Sequence, residues 1–426
     1  MSRSLNLNMT IGRGGGDALV GLDIQPGLIA AVQARVNGSL LVERAVGAPL
    51  GSDVVREGDV VDSAALSDAL RKLFAGSRLS KRVRIGVANQ RTVMRTIELP
   101  PVTDRKDLAA AVQFQAQDQV PMPLANAVLD FHPLGIVDTP GGPRQRVVLV
   151  AAQRDMVERL LAAVRSAGLT PAGVDMSAFA MIRSLYRGGA ADRERVLYLN
   201  VDGLTNVAIA EGTVCRFTRV LGGGVEELAS QLAERRAIPL EHARGLLADV
   251  DLTAPAGADA PGDTLPEEAA APSEAASAGA DGATPATELP DAVAPSKIEP
   301  AGEPPHREEP QSDRSTSYEE ELAAPSSATA AQEARAVLEN GVRAIAGEVR
   351  NSLDFQRSQE GGADVSRVVL SGSALELAGF AHALQASLGV EVVAETVNVS
   401  DSNQVRGLSP HRFAVAAGLA VSEVGS

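Results

Sequence analysis

The sequence has little of what usually marks catalysis, metal binding or membrane insertion. Tryptophan is absent, aromatic residues make up 3% of the 426 positions, and a single cysteine, Cys215, stands alone. One thiol excludes an internal disulfide and a cysteine-based metal cluster. In "GTVCRFTRV" it reads as a small half-buried strand residue. No apolar run approaches the roughly 18 to 20 residues of a membrane span, and the opening "MSRSLNLNMTIGRGGGD" lacks the apolar core of a secretion signal. A cytoplasmic chain is therefore expected. The 5 histidines show no metal-ligand spacing, and no serine sits in a nucleophile elbow. An excess of basic charge is missing too. The stretch 249–321 holds 18 of the 54 acidic residues and 3 of the 39 basic ones, which accounts for the whole net charge of −15 and leaves 36 of each sign elsewhere. A neutral body gives no support to nucleic-acid binding.

What is present is apolar surface in plenty, at 45% hydrophobic residues, enough for the cores of two or more domains. One region departs from this. Residues 249–329 are rich in Ala, Pro, Gly, Glu and Asp, cannot bury enough apolar surface to offset their ordering entropy, and are expected to form a disordered acidic linker. Before it, "DALVGLDIQPG", "LIAAVQARV" and "SLLVERAVGAPL" read as three strands, with Asn37-Gly38 as the hairpin signal between the last two. A helix capped by Asp62 or Ser63 places Leu66, Leu70 and Leu73 on one face, and "RVRIGVAN" returns as a strand. There follow "TVMRTIELP" as a strand, a helix capped by Asp104, the strands "AVLDFHPLGIV" and "QRVVLVAAQ", and the helix "RDMVERLLAAVRSAG". "LTPAGVDM" then leads into a short helix. From Arg195 the opening pattern recurs as "RVLYLNVDG", "TNVAIAEG" and "TVCRFTRVLGGG", and the chain closes with helices and two further strands. Two halves that each open with three strands, the first ending in an acid, indicate a duplicated α/β protein with a ligand cleft between halves.

The two acids are Asp23 and Asp202. A carboxylate at the end of a central strand, before a turn with free N–H groups, can hold a hydrated Mg²⁺ while the turn receives phosphate. It can equally just accept hydrogen bonds from its own turn. Gly222 and Gly223 in "LGGG" open a helix where phosphates are received, and "LSGSA", with Gly372, Ser373 and Ala374, lies between a strand and a helix. Neither matches a nucleotide fingerprint.

The motifs "VGLDI", "EGDVVDSAALSDALRKLF", "RTIELPPV", "DLAAAVQFQAQDQVPMPLANAVLDFHPLG", "TRVLGGGVEELASQLA", "EVRNSLDFQRSQ" and "VLSGSA" together resemble the type IV pilus assembly protein PilM family. This is an FtsA-related branch of the actin-like ATPase superfamily. The resemblance implies an actin-like, duplicated ribonuclease-H-like α/β fold of two lobes, with an inserted small α/β subdomain and the long acidic insert. Its boundaries run as a disordered 1–16, first lobe 17–92, inserted subdomain 93–174 and return helix 175–194. The second lobe takes 195–248, then the linker 249–329, then 330–426 with the last helix. It also implies ATP and Mg in the cleft, with Asp23, Gln25 and Gly27 in the first phosphate turn and Asp202, Gly203 and Thr205 in the second. Gly222 and Gly223 would lie beside the phosphates, and Gly372, Ser373 and Ala374 near the adenosine. Asp23 and Asp202 would be the metal ligands.

The function it implies is a cytoplasmic adaptor at the inner face of the cell membrane. Its partner would be the cytoplasmic N-terminal tail of a PilN-like membrane protein, and through it the pilus assembly platform and motor components. The tail would dock between the first lobe and the inserted subdomain, with Met94, Arg95, Ile97, Leu99, Phe131 and Val150 as candidate walls unless these are only subdomain core. The sequence departs from the family at Gln25 and Pro26, where a glycine and small hydroxyl residues are usual; a proline removes one N–H from the turn. No base poised for a γ-phosphate is found in "NVDGLTNVAIAEG", so at most a weak ATPase is expected. An active phosphotransferase or an FtsA-like filament former on the same fold remains the alternative.

Overall fold

Three consecutive strands open each half of the chain. The computed structural model describes residues 18–188, 194–254, 327–358, 364–401 and 404–421. Strands β1 (Val20–Gln25), β2 (Leu28–Asn37) and β3 (Ser39–Pro49) form a meander, and β4 (Val55–Arg56) pairs with β5 (Asp59–Val60) in a small ribbon. Helix α1 (Ser63–Phe74) starts at Asp62, whose carboxylate accepts from the Ala64 and Ala65 amides at 2.9 Å. It buries Leu66 and Leu70. Strand β6 (Arg82–Val87) returns parallel to β1.

The chain then leaves this sheet for β7 (Thr92–Leu99), α2 (Arg105–Gln119), β8 (Ala127–Thr139) and β9 (Gly142–Gln153). It re-enters through α3 (Arg154–Ser166), β10 (Thr170–Met176) and α4 (Ser177–Leu185). The second half runs β11 (Arg195–Val201), β12 (Thr205–Glu211), β13 (Val214–Leu221), α5 (Val225–Arg236), α6 (Leu240–Ala248) and α7 (Ser327–Ser358). It ends with β14 (Arg367–Ser371), α8 (Phe380–Leu388), β15 (Val392–Ala394), β16 (Asn398–Val399), β17 (Val405–Arg406) and α9 (Ala414–Ala420). These elements belong to one compact unit.

Strand order shows the duplication. The first sheet runs β10-β6-β1-β2-β3, with β16 and β17 on the β3 edge, and the second runs β13-β12-β11-β14-β15. In each, the first three strands are antiparallel and the next two lie parallel to the first. The fold is thus the two-lobe actin-like α/β arrangement. Helices α1 and α3 cover the outer face of the first sheet around Leu22, Ile85 and Leu160. Helices α5 to α8 cover the second around Leu199, Leu232 and Phe380. Between the sheets lie α4 and α9, in a core shared by Val32, Tyr198, Met181 and Val415. A third, three-stranded sheet, β7-β9-β8, packs α2 on one face through Ile97, Leu149 and Val112.

Several expectations need correction. "LTPAGVDM" is not a lead-in but β10, paired with β6 along its length; a proline and a glycine inside it hid the strand. The inserted unit therefore ends at Gln153 and not at 174, since α3 and β10 belong to the first lobe. The acidic linker does not begin at 249: Val250 is buried, the Leu252 amide donates to the Ala378 carbonyl at 3.0 Å, and Arg335 donates to the Asp251 carbonyl. At its other end α7 starts at Ser327, inside the expected linker. Residues 255–326, the N-terminal residues 1–17 and residues 189–193 lie outside the described residues. Cys215 is buried, and burial pushes its thiol up to about 12.

Candidate functional site

The two acids occupy equivalent places in the two sheets. Asp23 lies in β1, 2% exposed, just before the turn Pro26–Gly27. That turn puts proline first and a glycine with φ 79° second, the pairing a type II turn favours. Asp202 follows β11, and the turn Asp202–Leu204 closes with the Asp202 amide donating to the Leu204 carbonyl at 3.0 Å. The two turns touch. A Cβ on Gly203 would lie 2.0 Å from the Pro26 carbonyl oxygen, so only glycine fits there. Gly224 is pressed in the same way on the Asp202 carbonyl, which accepts from the Val225 amide at 2.9 Å and so anchors α5. Thr205 Oγ1 donates to the Gly223 carbonyl at 2.9 Å. Gly222 borders a different cleft, beside Gln90. Gly372, with φ 95°, packs on the Val201 backbone, Ser373 donates to the Val201 carbonyl at 3.4 Å, and Ala374 is core.

Both carboxylates already have partners. The Gln25 amide donates to Asp23 Oδ2 at 2.6 Å and accepts from the Leu204 amide at 3.2 Å, bridging the two sheets. Arg412, from the 3₁₀ turn Pro410–Phe413, donates to Asp202 Oδ1 through Nε at 3.1 Å and Nη2 at 2.8 Å. Burial pushes the Asp23 carboxyl up to about 7, opposed by the Gln25 hydrogen bond and reinforced by Asp202. Burial also raises Asp202, with Arg412 working against it. A third acid, Glu226, holds its carboxylate over Gly27, where an added Cβ would meet its Cδ at 2.7 Å, and Arg244 grips it with two donors. In this arrangement the cleft does not fit a magnesium nucleotide. The acids are engaged, the turns leave no gap, and Glu226 puts a negative charge over the first turn. Arg412 and Arg244 carry no spacing signal in the sequence; Glu226 shows only as an acid in a helix first turn, a common dipole-matching position.

A second site lies beside β10. This strand ends the first sheet, and next to it a cavity of about 130 Å³ is lined by Val128, Val150 and Ala152 of the inserted sheet. Val157, Leu161 and Arg165 of α3 and Val174 to Met176 of β10 complete the walls. Register explains which side chains reach it. Val128 opposes Ala152, Asp130 opposes Val150 and Thr92 opposes Ala152, so these share the face turned from α2. Of the six expected wall residues only Val150 lines this cavity. Ile97, Leu99 and Phe131 face the other way and pack in the α2 core. Met94 and Arg95 border a separate cleft of about 600 Å³ between the edge strands β7 and β13. The part of this cavity lined by α3 and β10 has no sequence signal, because Pro171 and Gly173 mask β10 as a strand. Among the described residues no group of three or more His, Cys, Asp or Glu could hold a metal ion.

The family model for the type IV pilus assembly protein PilM matches residues 21–241. Among solved structures, the PilM-PilN type IV pilus biogenesis complex shares 21% identity, with 96% of this chain and 99% of that chain covered at a TM-score of 0.66, a likeness of fold. More distant are the ethanolamine utilization protein EutJ from Carboxydothermus hydrogenoformans, at 14% identity, 98% and 94% coverage and TM-score 0.46, and MreB5 of Spiroplasma citri bound to ADP, at 11%, 94% and 94%, and 0.44. With more than half of its length matched by the family model, the chain belongs to the PilM family of type IV pilus assembly proteins.

Proposed function

We propose that the chain is an adaptor at the cytoplasmic face of the inner membrane. It would hold the N-terminal tail of a PilN-like membrane protein as an extended segment in the groove beside β10, and through that partner meet the pilus platform and its motor components. The observation that carries this reading is the open edge of β10 against an apolar wall. Among the described residues β10 pairs only with β6, so its outer edge offers backbone donors and acceptors, while Val128, Val150, Val157 and Leu161 offer pockets for alternate side chains. Among those residues, too, no helix is long and apolar enough to cross a membrane, so the link to the bilayer is assigned to the partner. The groove shares no residue with the Asp23–Asp202 turns, so the docking proposed here does not draw on them.

A synthetic peptide from the N-terminus of the neighbouring membrane protein tests this by fluorescence anisotropy. Micromolar affinity is expected, because the peptide loses its freedom on docking. Val128→Asp and Val150→Asp should each weaken binding at least about tenfold by burying an unpaired charge, with circular dichroism confirming the fold. Arg95→Glu, exposed and across the sheet from the groove, should leave binding unchanged. Loss in Arg95→Glu with retention in Val128→Asp would move the site to the β7–β13 cleft. No binding at high micromolar protein would refute the adaptor reading.

A further inference from the structure

The interlobe cleft of an actin-like fold is the expected seat of a magnesium nucleotide, yet here it is filled by the protein's own groups. Gln25 plays two parts at once: its NH₂ satisfies Asp23 and its carbonyl takes the Leu204 amide, a donor on the second turn that a phosphate oxygen would otherwise claim. Pro26 brings no N–H to the first turn. On the far side Arg412 neutralises Asp202, which is 1% exposed, where a metal ion would otherwise do so. Glu226 stands over Gly27 as a built-in anion, neutralised by Arg244. The acids around this centre are Asp23, Asp202, Glu226, Glu241 and Glu376, facing Arg412 and Arg244, and both cations are already committed. A polyphosphate would add negative charge to this set and would have to displace Gln25 or Arg412 from buried carboxylates, leaving them unpaired at a cost that weakens binding by orders of magnitude.

We propose that Gln25, Arg412 and Glu226 form an internal clamp that takes the place of magnesium nucleotide and holds the two lobes together without any ligand. The lobes then keep one closed arrangement whatever the nucleotide supply. Arg412 extends the clamp into the shared core, because its 3₁₀ turn leads directly into α9 between the sheets. The clamp is independent of how a partner docks, so either proposal can fail alone.

The test uses the full chain. Isothermal calorimetry and thermal unfolding with millimolar Mg-ATP and Mg-ADP should show no binding heat and no shift of the midpoint. Hydrogen exchange read by mass spectrometry supplies the second arm. Gln25→Met keeps the side-chain length but loses both bonds, of which the Leu204 amide bond belongs to residues 200–206, and should speed exchange across that segment by about five- to tenfold, the worth of one net hydrogen bond. Arg412→Lys should loosen the same segment less than Arg412→Ala, and serves if the alanine variant does not fold. Sub-millimolar binding of Mg-ATP to the wild-type chain overturns the proposal. So does unchanged exchange in the Gln25→Met protein, which would mean that the lobes are held by the α4–α9 core alone.

Discussion

Two glycine-to-alanine substitutions should act with opposite sign, and the difference measures how tightly the lobes are wedged together. Gly418 lies in α9, and an alanine Cβ there would sit 1.8 Å from the Ala180 carbonyl oxygen of α4. Real Cβ contacts stay above 3.0 Å, so the helices must part by at least 3.0 − 1.8 = 1.2 Å. Helix α9 cannot retreat the other way, because on its opposite side the Ala416 carbonyl would already be 1.9 Å from a Cβ on Gly21 of β1. Overpacking of this kind costs about 1 to 3 kcal/mol, and the upper part of that range applies because the obstacle is backbone. Alanine regains less than the ~1 kcal/mol of a helix interior, since Gly418 is in the last turn. A net loss of about 2 kcal/mol is expected. Gly347, inside α7 with nothing within 4 Å of an added Cβ, gives the opposite: Gly347→Ala should gain up to about 1 kcal/mol. The assay is urea unfolding followed by far-ultraviolet circular dichroism, since the absence of tryptophan rules out the usual fluorescence probe. Equal midpoints for Gly418→Ala and wild type would refute the close approach of α9 to α4.

Two further outcomes follow from buried polar groups. Asn206, 1% exposed on β12, has neither amide atom hydrogen-bonded, so Asn206→Val should raise the midpoint by removing an unsatisfied group, with a gain of about 1 to 2 kcal/mol; a loss of stability would mean that ordered water satisfies the amide. Asp130, on the groove face of β8, is pushed by burial from 3.8 up to about 6. The folded state therefore binds the proton more tightly than the unfolded chain, and stability falls as pH rises through the window between those values. Asp130→Asn should unfold at a higher temperature than wild type at pH 7.5 and lose that advantage near pH 4; a constant difference across the range would show that Asp130 is not the titrating group.

The sequence announces the architecture because its signals are local and repeated. An Asp at the end of an apolar run, an Asn-Gly between two such runs and an Asp before a leucine stripe each fix a strand end, a hairpin or a helix cap through neighbouring backbone groups. Legibility fails where the decisive contact is long-range. β10 carries Pro171 and Gly173, which speak against a strand locally, and only pairing with β6 across the irregularity between those residues makes it one. The strand faces were unreadable for a related reason. Ile97, Leu99 and Phe131 alternate like Met94 and Val150, and nothing in period-2 patterning says which face meets α2 and which meets the groove.

The cleft shows the same limit in its chemistry. Asp23 and Asp202 stand out because duplication puts them at matching strand ends, whereas Arg412 answers Asp202 from an element 210 residues away and Arg244 answers Glu226 across 18 residues. What a buried acid does depends on who satisfies it, and that partner is chosen by the fold. An acid with a glutamine or an arginine already in contact is a joint between lobes, while the same acid left open is a ligand site. In this chain the polar centre closes on itself and the open valences lie at the edge of β10, which is where a partner strand gains most from adding its own hydrogen bonds.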